Sequence, residues 1–368
     1  MNYNDDNRVV MTLDAGGTNF VFSAIKGNKE IVDPITLPSN SKNLELCLNT
    51  IIEGFNKIKE KLSDAPVAIS FAFPGPADYP KGIIGDLGNL PAFKGGIALG
   101  PMLEKKFNLP VFINNDGDLF AYGEAIGGFL PYVNSLLEKA GSPKRYKNLF
   151  GVTLGTGFGA GIVRNNNLFI GDNSGAGEIW LLRNKLNPKT NAEEGACIRS
   201  VQRVFAALTG IQFEKAPEPK VIYDIAKGNV AGDKAAAVEA FRQLGESVGD
   251  SLSQAITLID GLIVIGGGIS GAADMFLPPL LDEMRSTYES PSGSLFPRLA
   301  VKPFNLENES ELEQFLKGDK KEITIPFTDE KVAYDPMQRI GVGISKLGTS
   351  KAVAIGAYSY ALAQIDAK

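Results

Sequence analysis

A chain of 368 residues, 44% hydrophobic and 21% charged, is long enough for two globular domains and has a soluble protein's composition. Its net charge of −5, without a basic block, argues against nucleic acid as a partner. It contains no histidine and only Cys47 and Cys197, which excludes a Ser-His or Cys-His nucleophile and a Cys/His zinc cluster. Two lone cysteines fit a reducing compartment without a structural disulfide. Acid–base chemistry falls to carboxylates, Lys or Tyr. The polar, acidic start is unlike a signal peptide, and no apolar run approaches membrane-spanning length. The expected location is the cytoplasm, with no membrane partner.

In chain order, an apolar run at 9–13 ends in Asp14-Ala15-Gly16-Gly17-Thr18-Asn19, and a second run follows at 20–25. The pair predicts a β-hairpin with an unusually polar tip. A third strand is expected at 30–37. Leu44, Leu48, Ile51, Ile52, Phe55, Ile58 and Leu62 then recur at helical spacing. A buried strand at 67–73 closes on the turn Pro74-Gly75-Pro76. A glycine-rich connection carries Asn89-Leu90-Pro91, and a helix at 102–107 leads into a strand at 110–113. That strand ends in Asn114-Asn115-Asp116-Gly117-Asp118, ahead of a helical pattern at 119–126.

Residues 129–147 have weak periodicity and read as a surface excursion. A strand at 149–154 then ends in Gly155-Thr156-Gly157-Phe158-Gly159-Ala160-Gly161, repeating the strand, Gly/Thr turn, strand unit of the N-terminus. Asn165-Asn166-Asn167 marks the next turn. Helices are expected at 196–208 and 234–259, and a strand at 262–265 ends in Gly266-Gly267-Gly268. A helix at 276–288, a charged irregular stretch at 299–335 and a closing helix at 352–364 complete the chain. Strands alternating with helices argue for an α/β fold.

Backbone N–H groups converging on an anion make a phosphate site, and glycine permits both the tight turn and the close approach. Any one such loop is more often a plain turn; three of them, each after an apolar strand, favour a nucleotide. Thr18 and Thr156 add hydroxyl donors. A carboxylate such as Asp14 repels phosphates unless Mg²⁺ or its waters intervene. No P-loop motif occurs. Gly266-Gly267-Gly268-Ile269-Ser270-Gly271 matches a dinucleotide fingerprint, but Asp282 and Glu283 fall inside a helical pattern rather than at a strand end. The pentapeptide around Asp116 admits two readings, a helix N-cap or a catalytic carboxylate.

Together these motifs resemble the ROK family of sugar kinases and sugar-responsive repressors, within the actin/hexokinase-like ATPase superfamily. Asp14, Gly16, Gly17, Thr18 and Asn19 look like the family's first phosphate motif, and Gly155, Thr156, Gly157 and Gly159 like its second. Gly266, Gly267 and Gly268 match the turn that packs on adenosine. The resemblance implies two actin-like (ribonuclease H-like) α/β domains with a ligand cleft between them. Their expected extents are 1–116, joined by the helix at 352–368, and 117–351. It further implies that ATP and Mg²⁺ are used, that Asp14 places Mg²⁺ through water, and that Asp116 accepts the proton of a sugar hydroxyl. Gly75, Asn89, Asn115, Glu178 and, more loosely, Glu194 are the implied sugar contacts. A homodimer is compatible with the family, although nothing in the sequence marks an interface.

Three departures from the family pattern concern the substrate. The Glu178 segment continues Ile179-Trp180-Leu181-Leu182, without the family's histidine or cysteine cluster, so no zinc is expected. Asp118 stands where the family commonly has Asn and is expected to cap the following helix. The second sugar-site Glu has only Glu194 as a match. Trp180 is read as packing. The leading function is an ATP-dependent kinase of a hexose or N-acetylhexosamine, of glucokinase type. A family repressor is disfavoured because only 13 residues precede Asp14. A non-catalytic sugar-binding protein and a kinase for another small molecule are the remaining alternatives.

Overall fold

The computed structural model describes residues 3–88 and 90–367. The chain begins with β1 (Val9–Ala15), β2 (Asn19–Lys26), β3 (Lys29–Glu30), β4 (Ile35–Pro38), α1 (Leu44–Lys61) and β5 (Pro66–Ala72). A small flap of β6 (Ala77–Asp78) and β7 (Ile83–Ile84) precedes α2 (Leu99–Phe107), β8 (Val111–Asn114) and α3 (Asp116–Ile126). Next come α4 (Phe129–Lys139), β9 (Leu149–Leu154), β10 (Phe158–Arg164), β11 (Asn167–Phe169), α5 (Ile198–Thr209), α6 (Pro219–Lys227) and α7 (Lys234–Ile259). Then follow β12 (Leu262–Gly266), α8 (Ala273–Met284), β13 (Thr287–Glu289), β14 (Leu295–Pro297), β15 (Lys302–Asn305) and α9 (Glu309–Lys317). The chain closes with β16 (Lys321–Thr324), β17 (Lys331–Tyr334), β18 (Arg339–Ile344) and α10 (Thr349–Asp366). Among the described residues, no helix is long and apolar enough to cross a membrane.

These elements form two compact units. The first gathers Met1–Gly128, Gly161–Gly177 and Lys346–Lys368; the second gathers Phe129–Ala160 and Glu178–Ser345. In the first, the sheet order is β3-β2-β1-β5-β8, with β4 also on β2. The β1–β2 hairpin is antiparallel, while β1, β5 and β8 run parallel. Alternate residues of a strand face opposite sides. Val9, Met11 and Leu13 accordingly join Phe20, Phe22, Ile51 and Phe55 in one core against α1. Ala72 faces the other way, to Leu119 of α3 and Ala357 of α10. Asn43 caps α1, its side chain accepting from the Leu46 N–H at 3.1 Å.

Helices α3 and α10 approach almost backbone to backbone. A Cβ on Gly123 would lie 1.9 Å from the Ala352 carbonyl oxygen, and one on Gly356 1.9 Å from that of Leu119. The crossing admits only glycine at both points. It explains how α3 can be buried from Gly117 to Ile126.

In the second unit β9, β12, β18 and β15 lie side by side, all parallel. Val264, Ile265, Phe304, Ile340 and Val342 are among its buried strand residues. The long helix α7 packs along α8 and α5. Fully buried Arg339 donates to the Phe315 carbonyl at 2.7 Å through Nε and to Asp335 at 2.7 Å through Nη1.

Several expectations need correction. Residues 129–147 are not a surface excursion: they contain α4, whose Phe129, Leu130, Val133 and Leu137 are buried. Pro131 lies in its first turn, where the missing N–H costs little, but it disguises the pattern. The strand expected at 30–37 is split into β3 and β4 around Pro34, which cannot donate to a ladder. The helix expected at 276–288 starts earlier and ends at Met284, leaving Tyr288 in β13. The stretch 299–335 is not irregular, since β15 joins the sheet and α9 carries an Asn308 cap. Only its hairpin β16–β17 is exposed throughout.

Candidate functional site

In the first unit, three parallel strands end level with one another. Asp14 of β1 pairs in register with Ala72 of β5, and Ala72 with Asn114 of β8. The chain leaves these ends through Gly16-Gly17-Thr18, through Pro74-Gly75-Pro76 and through Asn115-Asp116. Segments far apart in sequence therefore meet at one carboxyl edge, the usual ligand position of open α/β sheets. The Phe73 N–H donates to the Asn114 carbonyl at 2.9 Å, and the Tyr79 hydroxyl donates to the Phe73 carbonyl at 3.0 Å. These bonds fix the turn that holds Gly75.

Asp14 and Asp116 both line a cleft of ≈ 710 Å³, together with Thr12, Ser23 and Ala72. Asp14 stays open to solvent at the end of β1, yet partial loss of water in the cleft pushes its carboxyl above its ordinary value, and the nearby charge of Asp116 adds to the shift. Neither carboxylate has an ion-pair partner among the described residues. The N-cap of α3 is Asn115, whose side chain accepts from the Gly117 N–H at 2.8 Å. The cap expected at Asp118 is thus misplaced: Asp118 lies in the first turn of α3, 4% exposed. Asp116, the first helical residue, accepts from the same N–H at 2.9 Å.

The Gly16 to Thr18 loop is held by Ser39. Its hydroxyl donates to the Gly17 carbonyl at 2.6 Å, and its N–H to the Thr18 carbonyl at 2.9 Å. A second hollow of ≈ 380 Å³ adjoins this loop, lined by Gly17, Thr18, Ser39 and Lys42. Asn19 opens β2. Asn89 lies outside the described residues.

In the second unit, β9 and β12 are parallel neighbours with Thr153 opposite Gly266, so their two glycine turns leave the same edge. Gly267 has φ +90, and a Cβ there would lie 2.3 Å from the Leu154 carbonyl oxygen. Gly268 begins the following 3₁₀ turn. Turn 155–158 closes with the Gly155 N–H on the Gly157 carbonyl at 3.0 Å, while Gly159 already lies inside β10. The Phe158 N–H donates to Glu193 at 3.1 Å, and Arg199 donates to the Thr156 carbonyl at 2.8 Å. Among the described residues, the N–H groups of Thr156 and Gly157 meet no protein acceptor.

Glu178 is exposed and accepts from the indole N–H of Trp180, which is itself only partly buried. Glu194 is engaged by Arg203 at 2.5 Å and Arg199 at 3.4 Å, which hold its carboxyl below the usual range against the effect of burial. Sequence reasoning missed Ser39, Tyr79, Glu193 and Arg199. Ser39, Glu193 and Arg199 act on loops remote in sequence and Tyr79 on a turn six residues before it, and no periodicity marks such partners.

The ROK family model matches residues 10–301. An N-acetyl-D-glucosamine kinase of Vibrio parahaemolyticus is 30% identical over 275 residues, covering 70% of this chain and 83% of that protein. A glucokinase of Halalkalibacterium halodurans is 28% identical over 291 residues, covering 73% and 82%. The crystal structure of a glucokinase from Parabacteroides distasonis is 55% identical, covers 98% of this chain and 99% of its own, and superposes with a TM-score of 0.91.

Proposed function

The chain belongs to the ROK family, and from that premise we propose that it is an ATP- and Mg²⁺-dependent sugar kinase. The acceptor is a hexose or N-acetylhexosamine, with glucose the first to test because the 55% identical Parabacteroides protein is a glucokinase. One observation carries the reading: the aligned strand ends bring Asp14 and Asp116 to one cleft. A helix cap alone would not require a second carboxylate beside it.

In this reading Asp116 accepts the proton of the sugar hydroxyl as its oxygen attacks the γ-phosphorus of ATP. Asn115, Gly75, Asn89 and Glu178 orient the sugar, and the Trp180 indole holds the Glu178 carboxylate. Glu194, committed to two arginines, is the weakest of the sugar contacts. Thr18 with Gly16 and Gly17, and Thr156 with Gly155 and Gly157, offer fixed donors to the phosphates, which need no reorganisation as charge develops. The turn at Gly266, Gly267 and Gly268 takes the adenosine.

Two neighbouring carboxylates without an ion-pair partner among the described residues, one of them shifted upward, are a donor set that suits a hard divalent cation. Asp14 would hold Mg²⁺ through water. The ion supplies neutralising charge on the transferring phosphoryl group.

An ADP-release assay across hexoses and N-acetylhexosamines tests the proposal. Asp116→Asn should lower kcat by at least ~10²-fold with the fold intact, as expected for loss of a general base. Equal turnover by the variant would remove Asp116 from that role. Ligand-stabilised protein without turnover on any sugar would favour a sugar-binding family member instead.

A further inference from the structure

The second Gly/Thr turn is held by an ion pair that the phosphotransfer chemistry does not itself require. Glu193 takes the Phe158 N–H at 3.1 Å through one carboxylate oxygen. Its other oxygen pairs with Arg199 at 3.0 Å. Arg199 turns its second nitrogen to the Thr156 carbonyl at 2.8 Å. The first residue of α5, Ile198, adds its N–H to the Gly155 carbonyl at 2.8 Å. Two side chains joined to each other thus grip both sides of turn 155–158, and the start of α5 grips a third point.

The consequence lies in which backbone groups are consumed. The grip uses the carbonyls of Gly155 and Thr156 and the N–H of Phe158. It leaves the N–H groups of Thr156 and Gly157, and the Thr156 hydroxyl, without a protein partner among the described residues. A turn whose carbonyls are tied back and whose N–H groups are free is a nest for an anion. The grip also accounts for Gly157, since a Cβ there would lie 2.7 Å from the Glu193 carboxylate oxygen.

We infer that Glu193 and Arg199 are positioning residues that shape turn 155–158 into the cradle for the nucleotide phosphates. The inference rests on the kinase reading and assigns to that site a device beyond its glycines. Arg199 has two tasks: it orients the turn through Thr156, and it neutralises a carboxylate that would otherwise face the phosphates. A planar fork does both at once; a lysine point charge does not.

The charge argument makes the test specific. MgADP affinity is measured by calorimetry on the full chain for wild type, Glu193→Gln, Arg199→Met, Arg199→Lys and the double variant Glu193→Gln/Arg199→Met. Arg199→Met should bind MgADP at least ~10-fold more weakly, because it leaves Glu193 unneutralised at the cradle. The double variant should recover part of that loss, which damage to the fold alone would not do. Arg199→Lys should fall between wild type and Arg199→Met, and it keeps the test available if Arg199→Met does not fold. Glucose affinity and the ligand-free melting temperature should change little.

MgADP affinities equal to wild type in all four variants would overturn the clamp while leaving the kinase reading intact. So would equal losses for MgADP and glucose, or a double variant weaker than both single ones. A wild-type chain that binds no nucleotide would sink the kinase reading and the clamp with it.

Discussion

Asp14 carries the clearest conflict between folding and function at the scale of single residues. Its carboxyl is pushed up by partial loss of water and then by the charge of Asp116, so ionising it costs more in the native state than in the unfolded chain, a cost that solvent at this exposed position screens. A group with a raised folded pKa stabilises fully below its unfolded value, and that contribution is lost as pH rises through the folded value. At neutral pH an ionised Asp14 therefore costs a little stability, reduced by solvent screening. Asp14→Asn should raise the melting temperature at pH 7, with the gain fading as pH falls towards ~4, while phosphotransfer drops. Identical melting curves at pH 7 would show that ionising it beside Asp116 is not costly. Asp14 and Asp116 were legible because each follows an apolar run and nothing in a strand needs a carboxylate at its end. Asp118 was misread because carboxylates at a helix start look alike in sequence; only the backbone shows that the Asn115 side chain reaches the Gly117 N–H. Glu193 and Arg199 gave no signal, since their partners lie some 35 to 43 positions away.

Among the elements, the crossing of α3 and α10 supports the site most directly, because α3 starts at Asp116. Gly123 and Gly356 each face a carbonyl oxygen 1.9 Å from where a Cβ would be, and backbone cannot move aside as a side-chain tip can. Gly356→Val should destabilise by about 3 kcal/mol or more, towards the upper end of overpacking costs. Urea unfolding of the purified variant measures this, and a loss below about 1 kcal/mol would mean the helices can separate cheaply. The helices α1, α3, α7 and α10 were legible from apolar spacing or small-residue runs. Helix α4 was not, because Pro131 breaks the pattern in its first turn. The tight crossing was not legible either, since two glycines in two helices do not declare that they face each other.

On the scale of the whole molecule, neither unit is a continuous piece of chain. The first draws on three segments, and its α10 arrives from Lys346–Lys368 to pack on β1, β5, β8 and α3. A fragment of residues 1–128 should therefore lack cooperative thermal unfolding by circular dichroism, because α3 and one face of the sheet lose their cover. A sharp native-like transition in the fragment would contradict that dependence. By itself the sequence determined the strand ends, the three glycine turns, the absence of imidazole chemistry and the family resemblance. All of these are local patterns, set by residue type and short spacing. Only the tertiary structure decided that Asp14 and Asp116 share a cleft, that α3 lies glycine to glycine on α10, and that Glu193 and Arg199 grip turn 155–158. Those are contacts between distant segments, fixed by strand register, close packing and charge pairing, and none leaves a periodic trace along the chain.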